Sequence, residues 1–217
     1  LGTDPVQFAP GRANAAALES PGVGADPYLL TVARLVPHKG QDVALRALAV
    51  LASEFPTLRY VIVGDGPDES RLRALATTLG VSARVIFAGP MRYDLLPGIH
   101  AGASVYVGLS RLFPPINVEG FGISFVEAAA SGVPSVAGDS GGVRSAVLDG
   151  ETGFVVPPEN DAAVTGAIRR LLGDDALRRR MGATARAAAL ERFNWDRVVR
   201  DTIGFATECV GRARHRA

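Results

Sequence analysis

Six short apolar runs, separated by segments with a helical pattern, constrain the fold of this chain more than any other feature. They lie at 28–32, 59–63, 85–88, 105–107, 134–137 and 153–156. Continuous short apolar runs are typical of strands that are buried on both faces of a parallel sheet. The sequence therefore predicts an α/β fold with a doubly wound parallel sheet.

Between and after these runs, apolar residues recur with the period of an amphipathic helix. In the first such segment Ala44, Leu48 and Leu51 fall on one stripe. The pattern predicts helices over 41–55, 69–79, 95–101, 124–130, 161–172, 174–192 and 196–212. No strand pattern follows residue 172, so the last two helices are expected to pack on the outside of the sheet.

The chain divides into three parts by pattern. Residues 1–27 carry four prolines, which is typical of a connecting segment rather than a first strand. Residues 28–192 hold the predicted sheet and most of its helices, and we interpret them as one ligand-binding domain. Residues 193–217 form a C-terminal helix.

The composition narrows the class of protein. Hydrophobic residues make up 47% and charged residues 21% of the 217 residues, which suits a folded domain. The single cysteine, Cys209, excludes an intramolecular disulfide and a cysteine-built metal site, and we expect it to be buried in a helix. The sequence has neither a run of about eighteen apolar residues nor a signal-peptide pattern, so we expect a cytoplasmic protein.

The net charge is +1, which provides no field to hold a nucleic acid, so we expect no such partner. Positive charge is concentrated at one end: residues 169–217 carry twelve arginines and six acidic residues, a net charge of +6, which leaves −5 on residues 1–168. This basic end is either a solvated face of the last helices or a surface for an anionic partner such as lipid headgroups.

Two cations lie in the loop after the first strand, where an open doubly wound sheet binds its ligands. Arg34 and Lys39 belong to the segment ARLVPHKG at 33–40, and Lys39 is the single lysine among 23 basic residues. A guanidinium fork and an ammonium group beside a helix N-terminus suit a diphosphate. The alternative is two surface cations near the start of a helix.

The second strand ends in the glycine-rich segment VGDGP at 63–67. Gly64 would let a ligand approach the backbone there, and a plain turn fits the same residues equally well. The pair Gly141 and Gly142 opens another such loop, and we expect its role to be structural.

Two carboxylates lie in the segment after the fourth strand. Glu119 is in a loop rich in proline and glycine, and Glu127, with seven residues between them, is on the predicted helix. Each can hold a different part of a long ligand, while the free amides of Phe121, Gly122 and Ile123 at the helix start face an anion. Hydroxyls at both ends and a diphosphate between them describe a nucleotide sugar. The alternative for Glu127 is a solvent-facing carboxylate, although its neighbours are apolar.

Together these motifs resemble the C-terminal half of the retaining glycosyltransferases of family four, which have the GT-B fold. The resemblance covers almost the whole chain. It is carried by ARLVPHKG at 33–40, VGDGP at 63–67, EGFG at 119–122, FVEA at 125–128 and GVP at 132–134, with GFVV at 153–156 and FNW at 193–195. It implies a Rossmann-like sheet and the transfer of a hexosyl group from a nucleoside-diphosphate sugar to an acceptor hydroxyl.

The resemblance implies a role for each candidate residue. Arg34 and Lys39 would bind the diphosphate and stabilise its charge as it leaves, and Glu119 would hold hydroxyls of the transferred sugar. These three are the candidate catalytic residues, and Glu127 would hold the ribose hydroxyls. The other donor contacts would come from Gly64, Met91, Phe121, Gly122 and Ile123, with the backbone near Met91 meeting the base. No metal and no cofactor are implied, because two cations and a helix terminus take the place of a divalent ion.

The chain departs from the family pattern in two ways. Eight residues, among them Pro114 and Pro115, separate Ser110 from Glu119, a longer connection than in many members. Such transferases also have two similar domains, and the acceptor-binding N-terminal domain is missing here. We therefore expect 1–27 to be an interdomain linker, 193–217 to pack outside or cross to the missing domain, and the isolated chain to be inactive. A lipid acceptor would bring the protein to the inner face of the membrane.

Two other function classes stay open. One is a nucleotide-sugar epimerase or a phosphorylase of the same architecture, and the other is a non-catalytic nucleotide-binding module. The histidines point to neither: we expect His38 to be exposed in its loop, His100 to be a packing residue of a helix, and His215 to belong to the basic tail.

Overall fold

The computed structural model describes residues 2–12, 22–112 and 119–214. The strands in these ranges are β1 (Tyr28–Val32), β2 (Arg59–Val63), β3 (Val85–Gly89), β4 (Val105–Gly108), β5 (Ser135–Gly138) and β6 (Gly153–Val156). They form one parallel sheet in the order β3-β2-β1-β4-β5-β6. The chain winds outward from β1 in one direction and from β4 in the other, so the predicted doubly wound parallel sheet is confirmed.

The ends of β3, β4 and β5 differ from the prediction by one residue. The predicted fifth strand begins at Pro134, whereas β5 begins at Ser135. Proline has no N–H to give to a strand ladder, although the Pro134 carbonyl still accepts from the Tyr106 N–H at 3.0 Å.

Helices cover both faces of the sheet. They are α1 (Gln41–Leu51), α2 (Glu69–Thr78), α3 (Leu96–Ala101), α4 (Ile123–Ala130), α5 (Val143–Ala146), α6 (Asp161–Gly173), α7 (Asp175–Arg192) and α8 (Trp195–Arg214). Short 3₁₀ turns lie at Pro37–Lys39, Ser82–Arg84 and Tyr93–Leu95. Seven of these α-helices correspond to predicted ones, and the four-residue α5 was not predicted.

Local chemistry sets several helix ends. The helix predicted over 41–55 is too long at its C-terminal end, because α1 ends at Leu51. Pro56 disfavours helical backbone in the residue before it. The α7 helix begins after Asp174, whose carboxylate accepts the Leu177 N–H at 2.9 Å, as expected for an N-terminal cap.

The core lies on both sides of the sheet. Leu29, Tyr60 and Ile62 pack on one face against α1, α2 and α6. Neighbouring strand residues such as Leu30 and Val61 pack on the other face against α3, α4 and α5. This alternation buries both faces, which explains the continuous apolar runs in the sequence.

The described part of the N-terminal segment packs against the domain. Phe8 is fully buried, and its carbonyl accepts from the Arg186 guanidinium of α7 at 2.7 Å. Thr3 forms an isolated bridge with Asn194 at the start of α8. Residues 13–21 of the predicted linker lie outside the described residues, as do Pro114, Pro115 and His215.

The expectation of a buried Cys209 is wrong, because Cys209 is exposed. It lies on α8, where the side chains from 199 to 209 are all exposed, so the helix buries little there. No helix within the described ranges has the length and apolar character needed to cross a bilayer.

Candidate functional site

The candidate site lies where the winding direction of the sheet reverses, between β1 and β4. The loops that follow these two strands touch each other: a Cβ atom at Gly40 would collide with the carbonyl of Leu109. Gly40 has a φ of 71°, which also favours glycine. Both candidate loops therefore meet at the crevice in which open α/β sheets bind ligands.

Lys39 and Glu119, which are 80 positions apart, form an ion pair at this crevice. The Lys39 Nζ donates to Glu119 Oε2 at 2.6 Å, and Ser110 Oγ donates to the same oxygen at 3.0 Å. The two charged side chains are 22% and 14% exposed, so the pair is shielded yet reachable. The pair fixes the position of the Lys39 ammonium and leaves the second oxygen of the Glu119 carboxylate able to accept hydroxyls.

Arg34 lies on the same loop as Lys39 and is exposed. Its backbone is fixed, because its carbonyl accepts from the amide of the buried Gln41 at 3.0 Å. Among the described residues no hydrogen bond or ion pair engages its guanidinium, which can therefore bind an anion. His38 next to it is half-buried, not exposed as expected, and burial together with the Lys39 charge lowers its pKa.

The start of α4 forms one wall of the crevice. Gly122 precedes the helix with a φ of 81°, and no side chain caps the first amides. A cleft of about 400 Å³ opens beside it. It is lined by Val32, Glu119, Phe121, Gly122, Ile123, Ser124 and Glu127. Uncapped amides and the positive end of the helix favour an anionic group in this cleft.

Glu127 lies deeper in the same cleft, on α4. Its side chain is 8% exposed. Burial raises the pKa of Glu127 to about 7, because the charged form has lost most of its hydration. The Nε2 atom of His100 is 3.6 Å from its Oε2. As expected, His100 is a buried residue of α3.

Two glycines after β5 allow close packing of the loop that carries Glu119. A Cβ atom at Gly141 would collide with the Glu119 carbonyl, and one at Gly142 with the Gly120 carbonyl. The Gly142 N–H also donates to the Glu119 carbonyl at 3.0 Å. Their role is the structural one that we expected.

Gly64 and Met91 lie farther along the same edge of the sheet. Gly64 has a φ of 126° and packs on the Ala33 carbonyl, directly before Arg34. Met91 follows β3, the outermost strand on that side, and packs on the core. Neither residue lines the 400 Å³ cleft, and Arg34 and Lys39 are not among its lining residues either.

Sequence reasoning missed the residues that brace the crevice. The Arg111 guanidinium donates to the buried Asp42 carboxylate at 3.1 Å and to the Pro37 carbonyl at 2.9 Å. Asp42 also pairs with Arg46, which in turn pairs with Asp161 of α6 at 2.6 Å. The sequence offered one signal for this network: a charged residue, Arg111, directly follows Ser110 in the loop after β4. Within the described ranges no cluster of three or more metal-ligating side chains is present.

The family model for glycosyl transferases group 1 matches residues 19–188. The chain belongs to this family. Its match to the C-terminal part of such enzymes is supported by a curated relative from Mycolicibacterium smegmatis, a GDP-mannose-dependent alpha-(1-6)-phosphatidylinositol monomannoside mannosyltransferase. The two are 41% identical over 196 residues, which cover 89% of this chain and 51% of the relative.

A second curated relative is the D-inositol 3-phosphate glycosyltransferase of Acidothermus cellulolyticus, 41% identical over 86% of this chain and 42% of the relative. The chain thus spans about half the length of the curated relatives it matches. Among solved structures, the Anabaena protein HepE in complex with UDP and glucose superposes with a TM-score of 0.82. It is 26% identical, and the match covers 95% of this chain and 55% of HepE.

Proposed function

We propose that this chain is the donor-binding half of a retaining, metal-independent glycosyltransferase of family four with the GT-B fold. It would bind a nucleoside-diphosphate hexose, and an N-terminal domain would bind the acceptor. The observation that carries the proposal is that Glu119, which is paired with Lys39, and Glu127 line one cleft at the switch point of the sheet.

The donor would lie along this cleft, with its negative charges next to the positively charged groups. Arg34, Lys39 and the first amides of α4 would hold the diphosphate, which carries the only charges of the donor. Glu119 would accept hydroxyls of the hexose and Glu127 those of the ribose. The close-packed turn at Gly64 and the backbone near Met91 would extend the site towards the base.

Charge stabilisation is the catalytic contribution of this half. When the bond between the anomeric carbon and the diphosphate oxygen breaks, the electron pair leaves with the diphosphate. Arg34 and Lys39 would stabilise that charge, and the acceptor oxygen would bond to the same face of the sugar. The acceptor proton would leave with the departing phosphate.

The domain assignment is part of the proposal. Residues 28–192 would form the donor domain, and 1–27 the linker. Trp195, Val199 and Ile203 of α8 are 47%, 53% and 61% exposed and lie at helical spacing on one side. This apolar side, and relatives about twice as long, support packing of 193–217 on the acceptor domain.

Calorimetry tests donor binding. GDP, GDP-mannose, UDP and UDP-glucose are titrated into the chain, with GDP-mannose first because the 41% identical relative is named as dependent on it. Lys39→Ala and Arg34→Ala should each weaken nucleotide binding about tenfold or more, because each removes a charge-assisted contact. Arg179→Ala, on the exposed side of α7, is the matched control and should bind like wild type.

Failure of every nucleotide to bind at millimolar concentration would overturn the proposal, as would unchanged binding by both site variants. The retaining outcome is tested separately, by NMR of the anomeric configuration of the product made by a form of the protein that carries both halves. Inversion, epimerised donor or phosphorolysis would each contradict it.

A further inference from the structure

A buried histidine without a hydrogen-bond partner lies directly behind Glu127. His100 is 0% exposed, and among the described residues neither of its ring nitrogens has a partner. Burying two polar atoms without compensation is costly, and folded proteins rarely do so without a reason. We therefore expect His100 to gain a hydrogen-bond partner when the site binds its ligand.

Ring contacts hold the imidazole in place. It stacks on Tyr106 with the ring centroids 5.6 Å apart and the planes 22° apart, and it meets the edge of Phe8 at 5.6 Å and 76°. Its Nε2 atom is 3.6 Å from Glu127 Oε2, just beyond hydrogen-bond length. A movement of about half an ångström by the Glu127 side chain would close a hydrogen bond.

The charge states suit a hydrogen bond from imidazole to carboxylate. Burial lowers the pKa of His100 to about 3, so the ring is neutral near pH 7 and carries one N–H. Burial raises the pKa of Glu127 to about 7. Burial, together with the nearby charge of Glu127, raises the pKa of Tyr93 and Tyr106, so both phenols are neutral near pH 7.

We propose that His100 is a positioning residue of the donor site: its neutral ring donates Nε2–H to Glu127 Oε2 and orients the ionised carboxylate to accept both hydroxyls of a vicinal diol. This inference rests on the proposed function, in which the diol is that of the donor ribose. Each carboxylate oxygen has two acceptor positions, so Oε2 can accept from His100 and from one hydroxyl together, while Oε1 accepts from the other.

The experiment compares GDP with 2′,3′-dideoxy-GDP, which lacks the diol, by calorimetry between pH 6 and 8. The ratio of the two affinities measures the contribution of the diol alone. Wild type should prefer GDP, and the preference should grow as Glu127 ionises. His100→Phe, which keeps a ring but has no N–H, should reduce the preference about tenfold and move its midpoint to higher pH.

Two further variants separate positioning from packing. His100→Gln places an amide N–H near the position of Nε2 and should retain most of the preference. Phe8→Leu perturbs the same ring cluster without touching Glu127, so it should lower the melting temperature and leave the preference unchanged. Should His100→Phe not fold, His100→Met fills the space with a flexible side chain that also lacks a donor.

The outcomes are distinct. A diol preference that survives in His100→Phe or His100→Met, or that falls equally in Phe8→Leu, overturns the inference while the proposed function stands. Equal binding of both nucleotides by wild type overturns the diol role of Glu127 and the inference with it. A wild-type chain that binds neither nucleotide overturns the proposed function itself.

Discussion

Glu119 and Glu127 belong to one short stretch of chain but lie in opposite electrostatic environments. The Glu119 carboxylate accepts from Lys39 and Ser110, whereas Glu127 lies among apolar side chains beside the unpaired His100. Burial therefore raises the pKa of Glu127 to about 7. The two carboxylates can hold different hydroxyls of one ligand, but the second becomes a full acceptor only above neutral pH.

Glu127→Gln should change how the free energy of unfolding depends on pH. The ordinary pKa of glutamic acid is 4.5 and that of folded Glu127 is about 7. Between these values the folded state binds more protons than the unfolded state, so the stability that protonated Glu127 contributes is lost as pH rises. The loss is on the order of 3 kcal/mol across this window.

Urea denaturation at a series of pH values measures the effect. The glutamine variant lacks the titration, so its stability relative to wild type should increase from about pH 4.5 to about pH 8. His100 is present in both proteins, so its own titration cancels to first order. A difference that does not vary with pH would contradict the assignment.

At the scale of elements, the loop after β5 supports the loop that carries Glu119. Gly142→Ala should destabilise the fold by about 1–3 kcal/mol, because the new methyl group would meet the Gly120 carbonyl. It should also weaken nucleotide binding, because Glu119 would shift. Gly166→Ala is the matched control: it lies inside α6 with open space around it, so alanine should stabilise by about 0.5–1 kcal/mol. Thermal unfolding and calorimetry distinguish the two.

The Asp42 carboxylate joins α1 to the loop after β4. Asp42→Asn removes the ionic partner of Arg111 and Arg46 at a buried position, and we expect a loss of about 1–3 kcal/mol with weaker nucleotide binding. Asp175→Asn alters an exposed carboxylate on α7 and should change stability by less than about 1 kcal/mol. Denaturant unfolding compares them, and equal effects would mean that the network does not brace the crevice.

The elements differ in how well sequence reasoning finds them. Strands buried on both faces show as uninterrupted apolar runs, so all six were located with ends within about a residue. The four-residue α5 is too short to show a helical period. The structure brings Lys39 to Glu119 and places Glu119 and Glu127 in one cleft, while the donor-binding roles of these residues and of Arg34 stay predictions. The contact of Arg111 with Asp42, 69 positions away, has no local spacing that could reveal it.

At the scale of the whole molecule, the candidate site is a cleft of about 400 Å³ that is open to solvent. In the proposed function a second domain places the acceptor against the anomeric carbon, and the donor half alone would supply no wall for that. We therefore expect the 217-residue chain to bind the donor but to transfer hexose at least about a hundredfold more slowly than a form with both halves. A coupled assay of nucleotide release with acceptor present measures this, and comparable rates would contradict the two-half account.

The most direct test of the central claim is to map nucleotide binding by two-dimensional NMR of the ¹⁵N-labelled chain. Titration with GDP should shift the amide signals of 33–40 and 119–127 most, with saturation at millimolar concentration or below, and Lys39→Ala should reduce these shifts. Shifts confined to α7 and α8, or none in the two loops, would show that the switch point of the sheet is not the donor site.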